Sequence, residues 1–160
     1  MILWRLSNHA DLSGLGGMKR SGRWHNAKRP VVYLAEHPAL ALLESMVHFE
    51  FASIELMPST YKMLEVNVES ESIMDADLQG HGIDDQNLTQ SIGDQWLASG
   101  ESLLLRVPSV LVPGSNYLLN PLHFEISRCS IKQIIEHPLD ARLLSSKCDS
   151  SGTHEPDMSA

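Results

Sequence analysis

Five basic residues crowded into a glycine-rich stretch, followed by one carboxylate in an apolar run, form the most reactive arrangement in this chain. In "SGLGGMKRSGRWHNAKRP", Lys19, Arg20, Arg23, Lys28 and Arg29 stand among glycines. An Arg fork matches the oxygens of a phosphate or carboxylate, and glycine lets backbone N–H groups approach the same anion. The spacing is neither GxxxxGK[ST] nor GxGxxG, so a phosphate site and a solvated basic loop both remain open. Tyr33 in "VVYLA" is either a cross-strand aromatic or a flat platform for a cationic ring. Glu44 in "ALLESM" is either a boundary carboxylate paired with a base or a carboxylate set against a developing positive charge.

Other reactive types carry less. Ser109, between Pro108 and Val110, lacks a GxSxG elbow and reads as a strand-end hydroxyl rather than a nucleophile. Eight histidines show no HExxH spacing, which gives a zinc hydrolase little support, and no metal is expected. His25, inside the basic loop, is a further candidate to touch a ligand. Glu44 and His48, four residues apart, read as a hydrogen-bonded surface pair in preference to metal ligands. Cys129 and Cys148 read as incidental thiols, since two cysteines make no disulfide framework.

These groups need elements to hold them. "ILWRL" and "VVYLA" read as short strands with the glycine-rich loop between them. Pro38 opens a helix, continued at helical spacing by Leu40, Leu43, Met46, Val47 and Glu50 or Phe51, with Glu44 at the edge of its buried face. "YKMLEVNVES" alternates as a strand with one wet face. "NLTQSIGDQWLAS" is helical, with Leu88, Ile92, Trp96 and Leu97 as its stripe. "SLLLRVPSVLVPGSNYLLN" is β-rich and divided by Pro108 and Pro113; "NPLH", Asn120 to His123, is a turn; "SIKQIIEHPLDARLL" adds a last strand and a turn. Strands and helices without regular βαβ alternation predict a compact α+β domain over 1–146, and the polar stretch 147–160 reads as a disordered tail.

The bulk numbers agree with a globular chain. It has 160 residues, 42% hydrophobic and 20% charged. No run approaches a membrane span, and the N-terminus lacks a signal-peptide pattern, so a cytoplasmic protein is expected. Net charge is −8, which disfavours general nucleic-acid binding. Between Leu12 and Ala35 there are five basic residues and no acidic one. A local positive site is therefore expected on a negative protein.

Taken together, Arg5 in "LWRLS", "SGRWHN", "VVYLAEHPALALLE", "RVPSVLVPGSNYLLNPLHF" and "HPLDARLL" resemble the RES domain family, in the family's order and over about residues 2 to 144. That family is named for an Arg, a Glu and a Ser, and its members are toxins of bacterial Xre–RES toxin–antitoxin pairs. The resemblance implies a fold similar to mono-ADP-ribosyltransferases and an activity that consumes NAD+ as substrate, with no other cofactor. It implies Arg5 and Arg23 on the phosphates, Tyr33 against the nicotinamide, Glu44 stabilising the oxocarbenium character at the ribose, and Ser109 orienting the ribose or nicotinamide. One departure is visible: His25 intervenes between Trp24 and Asn26, where the family commonly has Asn directly after Trp. The resemblance also implies a cognate Xre-family antitoxin, part of it entering the Arg5/Arg23 region. The ADP-ribose acceptor stays open among water, phosphate and a protein. A non-catalytic nucleotide-binding module and a protein-interaction module are the alternatives.

Overall fold

The computed structural model describes residues 1–48 and 59–143. Seven strands form one mixed sheet: β1 (Ile2–Leu6), β2 (Val32–Ala35), β3 (Thr60–Val68), β4 (Ile73–Asp75), β5 (Leu104–Pro108), β6 (Ser115–Leu119) and β7 (Cys129–Pro138), in the order β4-β5-β6-β2-β1-β3-β7. The helices are α1 (Leu15–Lys19), α2 (Pro38–His48) and α3 (Gln86–Ser99). All pairs are antiparallel except β4–β5. The α+β expectation holds. Two elements were not legible: α1 lies inside the stretch expected to be loop, and β4 is a three-residue edge strand. Glu50, Phe51, Cys148, the boundary at 146 and the tail lie outside the described residues.

Chain connectivity shows that the sheet is not flat. β3 and β4 are five places apart in the order, about 24 Å in a flat sheet. The chain from Val68 to Ile73 spans at most about 18 Å. The sheet must therefore curl, and the weak point is where β1 meets β2 through the single pair Trp4↔Ala35. Its inner face is one cluster, with Leu3, Leu64 and Val66 from β1 and β3 against Val32, Leu34 and Leu119 from β2 and β6. These side chains are at most 2% exposed.

Helices cover the outer face. α3 brings Ile92, Trp96 and Leu97 onto Leu105, Val107 and Leu118. Asp85 caps it by accepting hydrogen bonds from Asn87 N and Leu88 N, and Gly100 ends it in the left-handed region that glycine tolerates. Its most buried residues are Thr89, Gly93 and Trp96, a stripe turned slightly from the expected Leu88, Ile92, Trp96 and Leu97, of which Trp96 is buried and Ile92 and Leu97 pack half-buried. The reason is Gly93, where a Cβ would come 1.7 Å from the Trp24 carbonyl oxygen. Only a residue without a side chain lets the helix approach that closely.

α2 starts at Pro38, whose missing N–H costs nothing in a first turn, while His37 Nδ1 accepts from Ala39 N at 3.1 Å. Leu40 and Ala41 pack on Ala35 and Met63. Leu43 and Val47, expected inside, are 42% and 50% exposed. The small Ala41 draws the helix onto the sheet along the 40, 41, 44 stripe. Glu44, one turn after Leu40 on that stripe, is half-buried, as expected of the edge of the buried face.

Candidate functional site

Glu44 meets the sheet through two donors. Ser109 Oγ donates to Glu44 Oε1 at 2.7 Å, and Asn116 Nδ2 donates to the same oxygen at 2.6 Å. Ser109 follows β5 and Asn116 lies near the start of β6, so the β5–β6 hairpin delivers both. Local geometry explains the precision. Ser109 N donates to Gly114 O, Leu111 N donates to Ser109 Oγ at 3.1 Å, and Glu36 Oε1 accepts from Ser115 N at 2.8 Å. A Cβ on Gly114 would come 2.9 Å from that Glu36 oxygen, the far end of a flexible side chain, so the hairpin sits close against the end of β2.

Tyr33 belongs to the same outer face. Its partner across β2–β6 is Leu118, and Asn116 opposes Ala35, making Tyr33 and Asn116 diagonal neighbours about 7–8 Å apart. The Tyr33 hydroxyl is tied back into the basic loop. Trp24 N donates to Tyr33 Oη at 3.2 Å, and His25 Nδ1 lies 2.8 Å from it. His25 Nε2 is 3.1 Å from the Arg20 carbonyl, which can only accept. That assigns the proton to Nε2, leaving Nδ1 to accept from the Tyr33 hydroxyl. Burial pushes the Tyr33 hydroxyl well above its ordinary value and holds His25 below its own, against weaker opposing pulls from Arg20, Gly17 and Asp94.

The extra residue after Trp24 is thus turned inward. His25 is 3% exposed and braces Tyr33, while Asn26 binds Asp94 on α3 through both its backbone N–H and its side-chain amide. Arg29 completes that clamp with an ion pair to Asp94 at 3.1 Å. Arg23 Nη1 donates to Ile83 O at 3.0 Å, and no carboxylate among the described residues pairs with it within 4 Å. Four of the five expected site residues, Arg23, Tyr33, Glu44 and Ser109, therefore come from the outer side and its loops.

Arg5 stands apart. Its partner on β3 is Leu64, which puts it on the inner face with Leu3, and its Nη1 donates to Asp11 O at 2.7 Å. Burial lowers its pKa from the ordinary guanidinium value. It is the last but one residue of β1, beside the single β1–β2 pair. Asn116 was missed by sequence reasoning, because Asn after Pro-Gly-Ser reads as turn chemistry. The one sequence signal was its place in the β-rich run, where it is the second residue of β6.

Some expectations fall elsewhere. The His48 side chain is outside the described residues, so its pairing with Glu44 is too. Burial pushes the Cys129 thiol up to about 11, unsuited to a nucleophile. A groove of about 380 Å³ lies on α3 between Asn26, Arg29, Asn87, Gln90, Asp94 and Gln95, on the far side of the basic loop from Glu44. Asn26 and Arg29 are already committed to Asp94 there, and Gln90 to Gly22 O. Among the described residues no cluster of three or more His, Cys, Asp or Glu could hold a metal ion, and no helix is long and apolar enough to cross a membrane.

Comparison with known proteins gives a consistent picture. The chain is 42% identical over 147 residues to "Toxin Res" of Pseudomonas putida, covering 89% of this chain and 99% of that protein. It is 31% identical over 160 residues to "Prs ADP-ribosylating toxin" of a Sphingobium species, covering 88% and 95%. The fold matches the M. tuberculosis MbcT–MbcA toxin–antitoxin complex with a TM-score of 0.70 at 20% identity, over 91% of this chain and 87% of that one. The RES domain model matches residues 2–141. From "LWRLS" on β1 to the end of the last strand, the chain belongs to the RES domain family.

Proposed function

We propose that this protein is the toxin of a toxin–antitoxin pair and that it consumes NAD+ by breaking the nicotinamide–ribose bond. The observation that supports it best is Glu44: a carboxylate on a helix, held by Ser109 and Asn116, on the face that carries Tyr33 and beside a loop whose Arg23 has no ion-pair partner among the described residues. NAD+ asks for opposite fields close together, since its pyrophosphate is anionic and its nicotinamide ring cationic. Arg23 serves the first and Tyr33 the second, with its ring held by hydrogen bonds at the hydroxyl end. Arg5, at the β1–β2 junction, supplies a second guanidinium for the phosphates. The names of the relatives support the toxin and ADP-ribose parts of this reading.

The C–N bond breaks heterolytically, its electron pair leaving with nicotinamide, which becomes neutral. The anomeric carbon takes on oxocarbenium character, and a fixed carboxylate lowers the cost of that charge. An acceptor with a lone pair then bonds to the carbon and loses a proton. Water, inorganic phosphate and a protein side chain share this transition state. NAD+ is the only small molecule the mechanism requires. An Xre-family antitoxin that covers the Arg23 region would restrain the activity, as a toxin–antitoxin organisation demands.

The test is nicotinamide release by purified protein freed of antitoxin, with and without phosphate. Glu44→Gln should lower release by about 100-fold or more at unchanged thermal stability. A wild-type rate in that variant would overturn the reading. Binding of NAD+ without release in either protein would point to a nucleotide-binding module.

A further inference from the structure

The two oxygens of Glu44 are not equivalent. Oε1 accepts from both Ser109 Oγ and Asn116 Nδ2, at 2.7 and 2.6 Å, while Oε2 takes no hydrogen bond among the described residues. Two donors on one oxygen fix the carboxylate plane, because a carboxyl held at one point by one donor still rotates about its last torsion. Ser109 is committed on both sides: its hydroxyl donates to Glu44 and accepts from Leu111 N. Asn116 is anchored from behind, as part of a regular β6 pairing with β2 and β5.

We infer that Asn116 is a positioning residue which, with Ser109, claims Glu44 Oε1 and leaves Oε2 as the oxygen that faces the ribose. This rests on the proposed reaction, and it adds a division of labour to it. Ser109 acts through Glu44 and not on the substrate. Asn116 contributes nothing to holding NAD+, since its amide is spent on Oε1.

Two variants test this. Asn116→Ala should lower kcat about 10- to 100-fold, the worth of one hydrogen bond to a charged group, with KM changed less than about threefold. Asn116→Asp keeps the shape and replaces the donor with a second carboxylate, so it should lose at least as much turnover. It also separates lost positioning from lost folding should the alanine variant melt early. Asn116→Ala with wild-type kcat would overturn the inference.

A second readout needs no substrate. In 15N-labelled protein, one Asn116 side-chain amide proton should resonate downfield of ordinary carboxamides and move back in Glu44→Gln. An Asn116 signal in the ordinary range, indifferent to Glu44→Gln, would remove the hydrogen bond on which the inference stands. Should the wild-type protein release no nicotinamide, the proposed reaction fails, while this spectrum still decides whether Asn116 holds Glu44.

Discussion

A buried histidine that must stay neutral makes stability depend on pH, and His25 is in that position. Its Nδ1 accepts from Tyr33 and its Nε2 donates to Arg20 O, so protonation would displace the hydrogen that Tyr33 donates and bury a charge. Burial lowers its folded pKa below the unfolded value near 6.5. The unfolded chain then binds the proton more readily, and stability falls as pH drops below about 6.5, levelling once the folded form also titrates. One such group contributes at most about 1.4 kcal/mol per pH unit. Urea midpoints at pH 7.5 and 5.5 should converge in His25→Gln and stay apart in the wild type. At this scale the sequence named Arg23, Tyr33, Glu44 and Ser109 by type, yet their partners stayed hidden. Whether His25 turns toward a ligand or toward Tyr33 depends on a loop conformation that no spacing encodes, and Asn116 acquires meaning only through β6 register.

Elements were legible where period and punctuation agree. Pro38 marks a helix start by a steric rule that holds anywhere, so α2 was placed at its observed start, and α3 was placed within one residue of its observed bounds. The face each helix buries was legible in part, with Leu40, Ile92, Trp96 and Leu97 packing as expected, but the closest approach is set by the smallest residue instead of the most apolar. Ala41 makes that approach for α2 and Gly93 for α3. The α3 contact gives a sharp expectation. Gly93→Ala forces a methyl into the Trp24 backbone and should cost about 3 kcal/mol or more, overpacking that backbone atoms cannot relieve. Since Trp24 N donates to Tyr33, nicotinamide release should fall with it. Gly16→Ala is the control: nothing lies within 4 Å of a Cβ there, and the variant should be neutral to slightly stabilising in the same thermal melt.

Strand order lies beyond sequence reading for a physical reason: β3 pairs with β7 across some seventy residues, and the alternation of either strand is satisfied by any apolar partner face. The mixture of strands and helices could be read; the curl that joins β3 to β4 could not. That curl separates two kinds of core residue, which permits a test of the whole arrangement. Leu64, fully buried between the two halves of the sheet, faces away from α2, whereas Met63, its neighbour in sequence, lies beneath α2 on the outer face. Each substitution to alanine should destabilise the protein by about 2–5 kcal/mol. Leu64→Ala should keep wild-type nicotinamide release per folded molecule at saturating NAD+, because the Glu44 group rests on the opposite face, and only KM should rise, through Arg5, its partner on β1. Met63→Ala should lose turnover as well, since α2 then settles and carries Glu44 away from Ser109 and Asn116. Equal loss of turnover in both variants, measured well below their melting temperatures, would mean that the inner cluster positions Glu44 as firmly as the helix seat does.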